Sequence, residues 1–454
     1  MLNKIALIIS LLFVSAYLNA QNLNTSPFTR FGLGELSNNF SSHYLAMGGL
    51  SVSLSDYNQI NTSNPATYSS LLKNNPIYNV GLSGKYSLYN SNFNNEANNS
   101  SGSNVGLDNL LIGLPIKKNI SVVLGLSTFS TIGYDISNIE LLSSDTITYN
   151  YNGDGSLNKI LLGTGYNIIN KGDTTKFSVG INSSYLFGNI NRNSSVIFQE
   201  SGFYNSRVQN RMKLNGLLFQ AGLHFYQQFK GAAENDNWYY QFGTSTSFKS
   251  NIAASQDFYS YSFIYNYSVQ EIPKDTTAFY ENNGGIISLP DKFSIGMNIG
   301  RNKQNKNVWS LGLQYNLHNW NNYEEEFEIQ TSENQDLMQL SEFILGGRIT
   351  PSLDYSNKTK NILQKSTYMW GAKYASSFIK IDDKQLTNYG INIGMSIPLL
   401  SSRSVSLINL AFEFGKLGSL EENLIEENYC KFSLGFSLAP DTRYDRWFKK
   451  RKYD

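Results

Sequence analysis

In Ile120-Ser121-Val122-Val123-Leu124-Gly125-Leu126-Ser127, every second residue is large and apolar, and this alternation is the main indication of the fold. The same alternation returns in 177–187 and in 309–317. A period of two predicts β-strands with one apolar face and one more polar face. Many segments of about ten such residues are typical of a membrane-spanning β-barrel.

The first twenty residues predict an export signal. Lys4 supplies a positive start, residues 5–14 are almost entirely apolar, and Ala20 is a small residue before the predicted cleavage. No later apolar run approaches the ~20 residues that a membrane helix requires. A membrane location would therefore require a closed barrel, because only helices and closed sheets satisfy every backbone group within lipid.

Composition agrees with a barrel and argues against several other classes. Aromatic residues make up 14% of the chain and charged residues only 16%, whereas soluble domains carry about 25% charge. Without Lys4, 35 basic residues (36 minus 1) face 35 acidic residues, so no nucleic-acid-binding surface is indicated. The single cysteine, Cys430, excludes an intramolecular disulfide.

No cofactor, metal site or catalytic residue is predicted. Nucleophile-elbow, zinc-protease and phosphate-loop motifs are absent from the sequence. Residues 150–155 fit the first half of a calcium loop, but its twelfth position is Leu161 rather than Glu, so a polar turn is the preferred interpretation. A barrel enzyme built from scattered residues stays open as an alternative.

The pattern predicts an all-β fold, a 14-stranded antiparallel transmembrane barrel. Strands are expected near 76–90, 104–117, 119–132, 157–168, 175–190, 211–229, 238–250, 288–300, 308–323, 337–351, 367–380, 386–398, 405–416 and 428–440. The even count predicts that both termini are periplasmic. The longer links, including 133–156, 191–210 and 251–287, are then expected to be outer loops.

Residues 21–75 break the alternation and are rich in Gly, Ser and Asn. About 50 residues without regular structure are unusual for a loop and suggest a function. We therefore expect an N-terminal hatch, or plug, in the barrel lumen, with a free periplasmic tail as the alternative. The predicted division is a signal peptide at 1–20, the hatch at 21–75, the barrel at 76–440 and a periplasmic tail at 441–454.

Several motifs resemble the FadL-type outer-membrane transporters. Met47-Gly48-Gly49 followed by Asn64-Pro65-Ala66 is similar to the glycine-rich hatch of that family. Later motifs follow in the family's order: Leu289-Pro290 with Gly296, Trp309 to Trp320, Gly346-Gly347 with Gly371, and Gly394 with Ile397-Pro398. The resemblance extends to a Bacteroidota branch through residues 26–32 and 447–450.

The resemblance implies a location in the outer membrane of a Gram-negative bacterium, in contact with its lipid. It also implies uptake of a hydrophobic ligand such as a fatty acid or an aromatic compound. Gly48, Gly49, Asn64, Pro65 and Ala66 would form the hatch motif.

The inner faces of the predicted strands suggest a second hypothesis. The inward set of the first strand is polar, with Asn79, Ser83, Lys85 and Ser87. The chain could instead be a non-transporting accessory or scaffold barrel of a secretion or envelope-assembly complex. In that case 251–287 and the basic, aromatic tail would contact protein partners. An apolar cavity with a wall opening near the third strand would favour transport, and a lumen filled by 21–75 would favour a scaffold.

Overall fold

The computed structural model describes residues 26–440. Its description leaves out 38–40, 74, 94–95, 118, 142–145, 173, 200–201, 232–235, 267–269, 304–305, 332–334, 354–360, 382, 400–405 and 421–423. The predicted signal peptide and the predicted tail at 441–454 lie outside these residues.

Most of the chain is extended. The strands are β1 (Glu35–Leu36), β2 (Ile77–Phe93), β3 (Glu96–Lys117), β4 (Ile120–Leu141), β5 (Thr146–Asn170), β6 (Thr175–Phe198), β7 (Asn205–Lys230), β8 (Asp236–Ser247), β9 (Ser250–Tyr265), β10 (Glu271–Leu289), β11 (Lys292–Lys303), β12 (Lys306–His318), β13 (Glu324–Phe327), β14 (Leu340–Ser352), β15 (Thr367–Ile381), β16 (Lys384–Pro398), β17 (Leu407–Gly418) and β18 (Ile425–Leu438). The helices are short: α1 (Ser42–Leu45), α2 (Ile362–Lys365) and 3₁₀ turns at Pro27–Arg30, Pro65–Ser70 and Trp320–Asn322.

These strands form a closed antiparallel barrel with fourteen staves. We call a stave one passage of the chain along the barrel wall, made of a single strand or of two consecutive strands. β18 pairs with β2 along its whole length and closes the ring. β8 with β9 forms one stave, interrupted at residues 248–249, and β10 with β11 forms the next, interrupted at Pro290 and Asp291. The short β1 and β13 add to β4 and β10. The predicted fold class is confirmed.

The two faces of the barrel differ as the alternation predicts. Leu124, Leu126 and Ile181 point outward and are exposed, whereas Ser121, Val123 and Asn182 are buried inside. Large apolar side chains on the outward face suit contact with lipid hydrocarbon. Among the described residues, no helix has the length and apolar character to cross a membrane.

The barrel is much taller on one side than on the other. β5, β6 and β7 contain 25, 24 and 26 residues, whereas β16, β17 and β18 contain 15, 12 and 14. A membrane strand requires only ~9–11 residues. The tall staves therefore extend well past the apolar zone.

The prediction that 133–156, 191–210 and 251–287 are outer loops is wrong for most of their length. Much of 133–156, 191–210 and 251–287 is strand, because β4, β5, β6, β7, β9 and β10 continue through these regions. The predicted turn at 150–155 lies inside β5. The hydrophobic alternation ends there because both faces are polar outside lipid, although the backbone ladder continues.

Residues 26–37, 41–73 and their short helices lie inside the barrel and are largely buried. We call these residues the lumenal segment. Phe28 and Leu33 join an apolar cluster with Trp320 and Phe378. Tyr44, Met47 and Leu50 form a second cluster with Ile344 and Met369. The lumen is thus occupied by the chain's own N-terminal region.

Candidate lumenal site

The Asn-Pro-Ala motif attaches the lumenal segment to the barrel wall. The Asn64 side chain donates hydrogen bonds to the carbonyls of Val52 at 2.8 Å and Leu223 at 2.9 Å, and its Oδ1 accepts from the Ala66 amide at 3.1 Å. This last bond caps the 3₁₀ turn that Pro65 begins. One amide thus joins two parts of the lumenal segment to β7.

Gly48 and Gly49 end the helical turn of α1. Both adopt positive φ, at 74° and 95°, a region that glycine enters without a steric cost. Together the two predicted motifs touch opposite parts of the barrel, since Gly48 lies against Ala372 of β15.

The wall carries glycines where the lumenal segment approaches it. A Cβ added to Gly180 would lie 2.3 Å from the Pro65 carbonyl carbon, and one added to Gly371 would lie 2.2 Å from that of Met47. Eleven glycines from ten strands show such contacts under 3.0 Å, and we call them the glycine seats: Gly113, Gly163, Gly165, Gly180, Gly222, Gly243, Gly312, Gly346, Gly371, Gly394 and Gly435. The segment therefore fits closely around most of the circumference.

A buried polar cluster provides a further attachment. Asp56 of the lumenal segment pairs with Arg348 of β14 at 2.8 Å, and His43 Nε2 lies 3.4 Å from Asp56. His43 Nδ1 lies 2.9 Å from the Ser396 hydroxyl on β16. Although Ser, His and Asp meet here, the Ser396 hydroxyl donates to Asn409 at 2.6 Å. Its proton is thereby held away from His43, and the cluster is structural.

The electrostatics of Asp56 follow from this pairing. Burial alone would raise the pKa of Asp56, but the Arg348 guanidinium and the hydrogen-bonded His43 hold this pKa well below its usual value. The carboxylate is thus ionised in the folded protein. Breaking the pair would leave a buried charge unpaired.

The wall opens between β3 and β4. The two strands pair only where 109–117 faces 120–127, while β3 residues 96–107 pair only with β2. Above that point β4 continues against β5, with a bulge at 128–130, and its inner edge pairs with β1. The result is a wedge-shaped gap containing a cavity of about 290 Å³. Polar residues line it together with Leu36, Val105, Leu107 and Leu126; the polar ones include Ser83, Lys85, Asn104, Asp108, Asn109 and Asn158.

A second cavity of about 190 Å³ lies within the lumen and carries unpaired cations. Lys159 and Lys292 line it, and neither forms an ion pair with a carboxylate of the described residues. Lys292 Nζ lies 5.4 Å from the Phe129 ring centroid. Two other lining groups, His318 Nδ1 and Trp320 Nε1, are buried without a hydrogen-bond partner among those residues.

Part of the lining of this cavity is apolar. Leu36, Leu218, Phe248 and Leu289 line it together with the Phe129 ring. Unpaired cations and a free donor beside apolar side chains suit a molecule with an apolar body and an anionic end.

A third cavity, also about 190 Å³, holds compensated charges. Lys85 pairs with Glu427 at 2.7 Å and with Glu35 of the lumenal segment at 3.0 Å. Lys373 pairs with Glu413 at 2.5 Å. Among the described residues, three lysines and four glutamates line this cavity, whereas Lys159, Lys292 and a single carboxylate, Glu342, line the second cavity. The excess of lysine over carboxylate therefore lies at the second cavity.

Leu36 lies where the three cavities meet, because it lines all of them. It belongs to β1, which pairs with β4 beside the wedge. The side chain therefore separates the lumenal cavity from the opening in the wall.

A family model, described as BamG, matches residues 1–454, the whole chain. The chain belongs to the BamG family. No curated protein matches it.

Solved structures show how far the BamG-family fold is shared. The toluene transporter TbuX of Ralstonia pickettii is 11% identical, with 88% of this chain and 98% of that chain covered and a TM-score of 0.51. A mutant of the monoaromatic hydrocarbon channel TodX is 13% identical, with coverage of 88% and 99% and a TM-score of 0.52. A FadL homologue of Pseudomonas aeruginosa is 8% identical, with coverage of 88% and 98% and a TM-score of 0.50. At these identities the likeness concerns the fold alone.

The residues that the sequence singled out, Gly48, Gly49 and 64–66, lie in the lumenal segment, whereas the cavity residues were missed. Lys159, Lys292 and His318 lie on three different strands, and nothing in their neighbouring residues marks them. The one feature that these residues share in the sequence is that each lies at an inward position of a strand with alternating apolar and polar residues. Within the described residues, no group of three or more His, Cys, Asp or Glu is placed to hold a metal.

Proposed function

We propose that this BamG-family barrel is a channel for hydrophobic small molecules that carry an anionic end. The observation that carries the proposal is the lumenal cavity that Lys159 and Lys292 line together with apolar side chains. An unpaired ammonium in a partly enclosed site favours an anion, because its charge is poorly compensated by water there. The apolar wall accepts the rest of the molecule.

The proposed route leaves the barrel through the wedge between β3 and β4. The ligand would pass Leu36, enter the wedge and reach lipid without crossing the periplasmic end, where the lumenal segment lies against the glycine seats. Lateral release spares an apolar solute the cost of transfer through water. The hatch role of Gly48, Gly49, Asn64, Pro65 and Ala66 belongs to this proposal.

A binding experiment tests the cavity. Titration of purified protein with dodecanoate and with dodecyltrimethylammonium compares equal chains of opposite charge. We expect the anion to bind at least ten-fold more tightly, and the preference to vanish in Lys159→Met/Lys292→Met. The control Lys230→Met removes an exposed lysine outside the cavity. Equal affinity of wild type for both detergents would exclude this function.

We place the protein in a Gram-negative outer membrane with both termini periplasmic. The tall side of the barrel supports this orientation, since outer-membrane barrels have short periplasmic turns and larger external parts. The variant Lys274→Cys on β10, in a Cys430→Ser background, should react with a membrane-impermeant maleimide on intact cells. Protection of that cysteine until the cells are lysed would reverse the orientation.

A second function, an accessory or scaffold barrel of an envelope-assembly or secretion complex, is favoured by a different observation. The lumenal segment fits closely against glycine seats on ten strands, as expected for a barrel whose lumen is permanently filled. Quantitative isolation of the native protein from outer membranes separates the two. A stoichiometric protein partner supports the accessory role, and recovery of the barrel alone counts against it.

A further inference from the structure

The tall side of the barrel carries an ordered polar face on its outward surface. Three rows of side chains, in register across the strands, form what we call the platform: Ser156, Asn189, Lys213 and Ser255; then Asp154, Asn191, Arg211 and Asp257; then Asn152, Asn193, Gln209, Tyr259 and Phe279. The second row and, apart from Asn152, the third row line a groove of about 330 Å³. We infer that this platform binds the carbohydrate headgroup of an outer-leaflet glycolipid.

The platform lies on the same strands as an apolar row, and above it. The same outward face carries the exposed Ile160, Tyr185 and Leu217 lower on β5, β6 and β7. A lipid whose chains lie against these side chains must direct its headgroup toward the platform. At ~3.3 Å per residue and a tilt near 45°, the platform lies roughly 10–19 Å above that row.

The height of the platform above the apolar row favours the headgroup of a glycolipid over that of a phospholipid. The headgroup zone of an ordinary bilayer adds only about 5–7 Å to each side of the hydrocarbon core. With the row of Ile160, Tyr185 and Leu217 taken as the upper edge of the hydrocarbon core, the second and third rows lie beyond that zone. A headgroup of several sugars reaches them, whereas a phospholipid headgroup does not.

The chemistry of the platform also suits sugars. The Asn191 amide donates to Asp154 at 2.9 Å and accepts from Arg211 Nε at 3.1 Å, while Asn193 donates to Asn152 at 3.0 Å. These bonds hold a row of planar amide, carboxylate and guanidinium groups in fixed orientations. Such groups both donate to and accept from hydroxyls.

Free groups remain within this ordered frame. Neither the Gln209 amide nor the Tyr259 hydroxyl has a hydrogen-bond partner among the described residues. The Tyr259 and Phe279 rings meet edge to face at 5.7 Å between centroids, and Phe279 is 60% exposed. The exposed rings offer apolar surfaces against which sugar rings can stack.

The charges favour a mostly neutral ligand with few anionic substituents. Arg211 and Lys213 face Asp154 and Asp257, so the formal charges cancel. Lys213 is 61% exposed and only 3.4 Å from Asp257, a weak surface pair. Either cation can therefore turn to a phosphate or carboxylate on the sugar without a large loss.

The test uses lipopolysaccharide with a short core oligosaccharide, and the same oligosaccharide after deacylation, as probes for the purified full-length protein. We expect wild type to bind both, and Gln209→Ala/Tyr259→Ala/Phe279→Ala to bind each at least ten-fold more weakly. Lys274→Gln, exposed on β10 outside the platform, should bind as wild type does. Gln209→Ala alone removes a side chain without a partner, so it tests the same face if the triple variant does not fold.

Two results would overturn the inference. If deacylated oligosaccharide fails to compete with lipopolysaccharide, the acyl chains alone account for binding. Equal affinity of wild type, Gln209→Ala and a folded triple variant would also reject the platform. Glycolipid binding at the platform requires the orientation proposed above, but it does not require that the protein transports a ligand. Maleimide labelling of Lys274→Cys therefore shows whether a failure to bind comes from a reversed orientation or from the platform itself.

Discussion

At the scale of single residues, glycine determines where the lumenal segment can lie. Gly180 has no room for a side chain, because the backbone of Pro65 and Ala66 occupies the space of its Cβ at 2.3 and 2.4 Å. Gly106, on β3, meets nothing within 4 Å. The two glycines therefore form a matched pair for substitution.

We predict that Gly180→Val destabilises the folded barrel by about 1–3 kcal/mol or more, the range for an overpacked site. Backbone cannot move aside as a flexible side chain can. The readout is the midpoint of the heat-induced mobility shift in detergent gels. Gly106→Val should leave it unchanged, and equal midpoints for both variants would show that the seats tolerate side chains.

Asp56 makes the attachment of the lumenal segment dependent on pH. Its pKa in the folded state is lowered mainly by Arg348 acting against burial, so its contribution to stability is complete above the unfolded pKa of ~4. That contribution is lost as the pH falls through the lower, folded pKa. We expect the melting temperature of wild type to decrease below pH 4, and more steeply than that of Asp56→Asn.

At pH 7 the Asp56→Asn variant should be less stable by about 3–5 kcal/mol, because Arg348 keeps a buried and unpaired charge. Asp383→Asn is the control, since its ion pair with Lys380 is solvent-exposed. Exposed pairs contribute about 0–1 kcal/mol. If the two variants lose the same stability, the buried pair contributes little to the attachment.

At the scale of elements, the strand β1 is important because its two residues, Glu35 and Leu36, separate the lumenal cavity from the wedge. Leu36 lines all three cavities, so a larger side chain there should narrow their junction. We predict that Leu36→Trp slows release of dodecanoate into liposomes at least ten-fold, and by a larger factor than it changes equilibrium binding. Leu82→Trp, on the exposed outward face, should affect neither. Unchanged release from Leu36→Trp would place the route elsewhere.

The extended strands also show where the sequence pattern is misleading. The apolar period is lost in segments such as Tyr259-Ser260-Tyr261-Ser262, yet β9 continues through them. Their outward side chains meet water or headgroups rather than hydrocarbon, so hydrophobicity no longer reports the strand. The period of two survives as an alternation of aromatic and small polar residues.

At the scale of the whole molecule, the lumenal segment and the barrel wall stabilise each other. The wall is closed by backbone pairing from β18 to β2, but its inner face is shaped by glycines that leave spaces for the segment. We predict that deleting residues 42–72 lowers the melting midpoint by more than 10 °C. A separate peptide of residues 26–73 should restore part of the loss. An unchanged midpoint would show that the segment is an independent insert.

The sequence by itself determined the strand count, the antiparallel barrel and the special character of residues 21–75. These properties are local, because a period of two fixes which side chains point the same way and because lipid admits only strands that satisfy every backbone group. The sequence also singled out Gly48, Gly49 and Asn64, whose backbone conformations or caps are determined within a few residues.

Only the tertiary structure decided which inward residues meet. Lys159 is more than a hundred positions away from Lys292 and Trp320 along the chain, and barrel closure brings the three residues to one cavity. The wedge depends on where β3 and β4 stop pairing, and the platform depends on the register across four strand pairs. Register and closure are set by the packing of the whole wall around the lumenal segment, and no single stretch of sequence contains that information.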